Sequence, residues 1–170
     1  MVTEEVKAYS AKVLQIFGHN IQRVRERKQY SFAEIATMSG YGRQYISALE
    51  LGEKDIQLST AIKLARGLDV PLAKLFTREP DGDTAVLNGA FTEDNYLLVF
   101  NSNVRRRLIA TGTKEIHIYM ETGMDTATIN RILNAKTIDP RISTLAKIAA
   151  GVGADLGVLL SRVERGESEG

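Results

Sequence analysis

Apolar side chains between Thr3 and Lys28 fall at Val6, Tyr9, Val13, Ile16, Phe17, Ile21 and Val24. Steps of three and four residues put them on one stripe of a helix, with Thr3 placed as its N-cap. Ser31 predicts the cap of a short helix from Phe32 to about Met38, and Glu34 holds the capping-box position. Gly40 interrupts where a tight turn calls for positive φ. A third helix, 42–51, carries Ile46 and Leu49 inward and stops by Gly52. Ser59 predicts the cap of a fourth helix holding Ile62, Leu64, Ala65 and Leu68. Pro71 opens a short fifth helix with Leu72, Leu75 and Phe76. The second and third helices, joined by a brief glycine-containing turn, have the helix-turn-helix pattern, and Ala36 is small where they would cross.

The pattern recurs. At an offset of 83 residues Phe17 meets Phe100, Asn20 meets Asn103, Gly40 meets Gly123 and Ile46 meets Ile129. After one inserted residue the offset becomes 84, and the run Ser59 to Ala65 falls on Ser143 to Ala149. A register kept through several apolar segments indicates duplication of one unit of roughly 60 residues. The predicted organisation is a first domain at 1–76 with an N-terminal helical extension, a linker at 77–91 and a second domain at 92–170. The fold class is all-α, two tandem five-helix bundles, and each unit is expected to close its own core.

Composition narrows the chemistry. Cys is absent, which removes disulfides, thiolate metal sites and a Cys nucleophile. No apolar run is long enough to span a bilayer and the N-terminus is acidic, so a cytoplasmic protein with no membrane partner is expected. Net charge is only +1, so any nucleic-acid partner must be held by a local patch and oriented backbone amides.

The stretch Phe17 to Phe76 resembles the Cro/phage-repressor-type, or Xre-type, helix-turn-helix family. The residues that carry the resemblance include Ile21, Arg25, Ser31, Ile35, Ala36, Gly40, Tyr45, Ile46, Leu49, Glu50, Gly52, Leu58, Leu64, Ala65 and Leu75. Residues 100–160 match the same pattern weakly. The resemblance implies five-helix bundles of the Cro/repressor type whose third helix lies in the DNA major groove. It places Arg43, Gln44, Ser47 and Ala48 on the outward face of that helix. Arg can bond both acceptors of guanine and Gln can pair with adenine, while Ala48 can touch a thymine methyl. Ser31, Tyr45, Lys54 and Gln57 then fall at phosphate-contact positions, together with backbone amides near Ser31. Phe32 departs from the family, which often has Gln there, so a phosphate contact is in doubt. The resemblance also implies a largely buried ion pair between Arg25 and Glu50.

In the second unit those two positions are Leu108 and Leu133. Both charges changed to apolar groups together, which removes the cost of a stranded buried charge. Its outward face would carry Thr126, Ala127, Asn130 and Arg131, with Lys136 and Arg141 in the following loop. Tyr119 replaces the small Ala36 and should push the paired helices apart. Two roles remain open for this unit: a second DNA-binding module, or a module for packing, dimerisation or a protein partner. The first helix also begins about four turns earlier than the family pattern. Its extra stripe needs cover from the second repeat or from another protomer, and this motivates a homodimer.

The sequence argues against an enzyme. His19 and His117 sit on separate units with no carboxylate or serine at telling spacing, Asp81-Gly82-Asp83 lacks further calcium ligands, and no cofactor or metal is implied. The expectation is a transcriptional regulator of repressor type, binding double-stranded DNA. The alternative is a protein-binding antitoxin or phage-inhibitor module on the same fold.

Overall fold

The computed structural model describes residues 2–77, 96–134 and 138–161. Within the N-terminal half lie α1 (Glu4–Arg27), α2 (Phe32–Ser39), α3 (Arg43–Glu50), α4 (Leu58–Leu68) and a 3-10 helix, Leu72–Phe76. The C-terminal half contributes α5 (Tyr96–Thr111), α6 (Glu115–Thr122), α7 (Thr126–Leu133), α8 (Ile142–Gly151) and α9 (Leu156–Leu159). Among the described residues the architecture is all-helical, and no helix is long and apolar enough to cross a membrane. All of the linker expected at 77–91 except Thr77, and the Asp81-Gly82-Asp83 fragment, lie outside the described residues.

Local chemistry accounts for the first elements. The Thr3 hydroxyl accepts from Val6 N at 3.2 Å, with Glu4 and Glu5 in the first turn and Arg25 and Arg27 in the last, as the helix dipole favours. Ser31 and Glu34 form a reciprocal capping box, Ser31 Oγ accepting at 3.1 Å and Glu34 Oε1 at 2.8 Å. Gly40 closes α2 at φ +84, and its N–H donates to Ala36 O. Pro71 stands one position earlier than expected, as the N-cap of the 3-10 helix.

Two expected caps prove to be something else. α4 begins at Leu58, with Gln57 at the N-cap, so Ser59 lies inside the helix. Its N–H and hydroxyl both donate to the Asp139 carboxylate, at 2.9 and 2.5 Å. Ser143 likewise lies inside α8, and its N–H and hydroxyl donate to Asp55 at 3.2 and 2.6 Å. A carboxylate from the other half satisfies an orphan amide in each first turn and complements the dipole. Between these caps Gln57 and Arg141 form an isolated antiparallel bridge. Leu58 N donates to Pro140 O at 2.8 Å and Ile142 N to Ile56 O at 2.7 Å.

The two halves do not close separate cores. Their buried side chains form one continuous cluster, from Phe17 and Ile46 to Ile129 and Leu160. The extension of α1 explains why. α1 packs more extensively on α8 than on any other helix, and Val6 and Val13 of its extension are buried. Thr3 N donates to Thr122 O at 3.3 Å, and Leu156 N to the Tyr9 hydroxyl at 3.0 Å. With roughly 1.5–3 kcal/mol gained for each large aliphatic side chain removed from water, this joint core outweighs the caps.

Two asparagines, Asn20 buried and Asn103 half-buried, tie α1 and α5 to the ends of their halves. Asn20 Nδ2 donates to Leu75 O and Thr77 O at 3.0 and 2.5 Å. Asn103 Nδ2 donates to Leu159 O and Ser161 O at 2.9 and 2.8 Å.

Candidate nucleic-acid interface

α3 is fixed from behind by burial and by charge. Ile46 and Leu49 are fully buried in the core. Gly18 on α1 lets the α3 backbone come close, since a Cβ there would overlap Leu49 O. Arg25 meets Glu50 in a two-pronged pair, Nε to Oε2 at 2.5 Å and Nη2 to Oε1 at 3.1 Å. The side chains are only 12% and 7% exposed, so the pair is largely withdrawn from water. Hydrogen bonding to Glu50 raises the Arg25 pKa above its ordinary value, and burial opposes this only in part. Arg25 also donates to Tyr30 O at 3.1 Å and lies 4.1 Å above the Phe32 ring. Phe32, the departure from the family pattern, therefore serves as a cation–π plate under the ion pair.

On the other side of α3, Arg43 and Gln44 are exposed in the first turn, and Ser47 and Ala48 are half-buried. Arg43, Gln44 and Ser47 line a groove with Ser31, Phe32 and Ala33 at the start of α2. The capping box occupies the N–H groups of Ser31 and Glu34. The amides left to an anion are those of Phe32 and Ala33, the first two helical positions. No acid stands in the first turn of α3, whose N-cap is Gly42.

Tyr45 is half-buried and stacks on Tyr41 with centroids 5.1 Å apart, and Lys54 Nζ lies 5.6 Å from its ring. Burial, then the neighbouring Tyr41, raises the Tyr45 phenol above its usual value, so it stays a protonated donor. Lys54 and Gln57 are exposed, although Gln57 Nε2 donates to Asp139 O at 3.3 Å.

The C-terminal half builds a different face. Thr126, Ala127, Asn130 and Arg131 are exposed along α7. Asp125 caps α7 by accepting from Thr128 N and Oγ1, both at 3.2 Å, and so puts a carboxylate where α3 has glycine. Asn130 Oδ1 accepts from the Tyr119 hydroxyl at 3.0 Å. α6 packs mainly on α8 and less closely on α7 than α2 does on α3. Ile116 and Met120 are 54% and 71% exposed on α6, where Ala33 and Thr37 stand 83 residues earlier. Arg141 donates to Asp55 O at 2.9 Å, and Lys136 lies outside the described residues. Leu108 and Leu133 are both buried.

His19 is exposed and His117 Nδ1 accepts from Lys114 N at 3.0 Å. Among the described residues no cluster of His, Asp and Glu could hold a metal. Sequence reasoning missed Asp55, Asp139 and Gly18. The two acids do share the offset of 84 residues, each four positions before its half's serine, and that was the available signal.

The family model described as helix-turn-helix matches residues 21–75. Control protein C.SmaI of Serratia marcescens is 34% identical over 67 residues, 39% of this chain and 80% of that protein. An uncharacterized HTH-type transcriptional regulator of Sinorhizobium fredii is 33% identical over 63 residues, 37% of this chain and 82% of that protein. A putative HTH-type transcriptional regulatory protein of Pyrococcus furiosus is 34% identical over 61 residues, 36% of this chain and 19% of that protein.

Proposed function

The chain belongs to the helix-turn-helix family of DNA-binding transcriptional regulators, and we propose on that premise that α3 enters the major groove and reads bases. Arg43 takes guanine and Gln44 adenine, the pairings that their donor and acceptor geometry suits. Ser47 and Ala48 add contacts deeper along the helix. Ser31, Tyr45, Lys54, Gln57 and the amides of Phe32 and Ala33 hold phosphates and set the register. The observation that carries this reading is the groove shared by Arg43, Gln44, Ser47 and the start of α2. The Arg25–Glu50 pair ties α3, one wall of this groove, to α1.

The C-terminal half, 92–170 after a linker at 77–91, is proposed as a second and degenerate unit of the same type. The matched bonds of Asn20 and Asn103 support this, as does the joint replacement of Arg25 and Glu50 by Leu108 and Leu133. The extra stripe of α1 lies against this half of the same chain, so it gives no ground for a homodimer. Repression is the proposed mode, by occupying DNA that the polymerase needs.

Selection from a random duplex pool tests the reading. The full chain should enrich one sequence and keep binding it at physiological salt. A protein-directed module would show weak, unselective binding that salt abolishes.

A further inference from the structure

We propose that one chain fills a complete two-half-site operator: its halves are joined as a dimer is, by a two-fold axis, with α3 and α7 reading unlike half-sites. This rests on the DNA-reading role given to α3 above.

The hydrogen bonds across the Gln57–Arg141 bridge come in exchanged pairs. Ser59 bonds Asp139 while Ser143 bonds Asp55, and Leu58 N bonds Pro140 O while Ile142 N bonds Ile56 O. Gln57 Nε2 donates to Asp139 O while Arg141 donates to Asp55 O. Every partner lies 84 residues from its counterpart. Contacts in which i meets j′ and j meets i′ are the mark of a two-fold interface, and translation along a chain of repeats does not produce them. The axis passes through the Gln57–Arg141 bridge. Ala73 and its counterpart Gly157 also meet across the halves, where a Cβ on Gly157 would lie 3.2 Å from Ala73 O.

A two-fold rotation keeps every atom at its height along the axis. Whatever α3 presents toward one end of the axis, α7 presents toward the same end. α3 ends at Glu50 and α7 at Leu133, seven and eight residues before their members of the bridge, so both flank the axis, as reading helices do in two-fold dimers on DNA. The surface through which the N-terminal half would pair with a second copy is taken by its own C-terminal half. The faces are unlike: α7 offers Thr126 and Ala127 where α3 offers Arg43 and Gln44, behind the Asp125 carboxylate.

The test uses the full chain. A selected duplex should carry two different half-sites with centres about one DNA turn, roughly 34 Å, apart. Native mass of the complex should show one 18.7 kDa chain per duplex. Two chains on a palindrome would overturn this inference while leaving the reading of α3 intact, whereas failure to select any sequence would overturn both. A second variant copies Gly42-Arg43-Gln44 into α7: Asp125→Gly with Thr126→Arg and Ala127→Gln. The second half-site should then shift toward an inverted copy of the first, with a roughly tenfold to hundredfold change of preference. An unchanged second half-site would remove α7 from base reading.

Discussion

Asp139 accepts from both the backbone N–H and the hydroxyl of Ser59, at 2.9 and 2.5 Å, from 80 residues away in the chain. Asp55 does the same for Ser143. Each half therefore finishes the first turn of the other half's fourth helix, and neither helix start is complete alone.

Loss of these caps should be felt by the whole molecule. Asp55→Ala and Asp139→Ala should each cost on the order of 0.5–2 kcal/mol, the usual range for a lost helix cap. Because the core is continuous, the parent chain should unfold in urea in a single transition, with the same midpoint by circular dichroism and by tyrosine fluorescence. Two separated transitions would show that the halves fold independently.

The Arg25–Glu50 pair makes a sharper energetic statement. Glu50→Ala strands a largely buried guanidinium and should cost about 3–5 kcal/mol. Copying Leu108 and Leu133 by changing both residues to Leu should cost much less than the sum of the two single changes. A double-mutant cycle by denaturant unfolding reads the difference, and additive costs would mean that the residues do not act as a pair.

Gly18→Ala adds one methyl group where it would overlap Leu49 O, a backbone atom that cannot step aside. The helices must separate, so the expected loss is at least the roughly 1–3 kcal/mol typical of overpacking. α3 should lose its seat with it, and DNA affinity should fall although Gly18 is buried and does not line the groove. An unchanged unfolding midpoint would show that α1 and α3 are not held this closely.

Features set by neighbours in the chain were legible in the sequence. The stripe of α1, the Ser31–Glu34 box and the Gly40 turn all rest on residues within four positions of one another. The Arg25–Glu50 pair was also legible, because a family resemblance implied it and the repeat replaced both members together. Ser59 and Ser143 misled because a hydroxyl at a helix start looks like a cap whether it accepts or donates. Their true partners lie in the other half, where no local pattern can point. Gly18 was silent for a similar reason, since a glycine on a helix face shows nothing of what presses against it. The single core followed from the partner of α1, and the sequence left that choice open between the second repeat and another protomer.

Competition binding against the selected site and a scrambled duplex tests the role of α3 most directly. Arg43→Ala with Gln44→Ala should remove most of the sequence preference, about 1–3 kcal/mol for each bidentate pairing with a base, while the salt-dependent binding remains. Asn130→Ala with Arg131→Ala should leave the first half-site preferred and weaken binding by less. If the second pair of changes erased discrimination and the first did not, α3 would not be the principal reading helix.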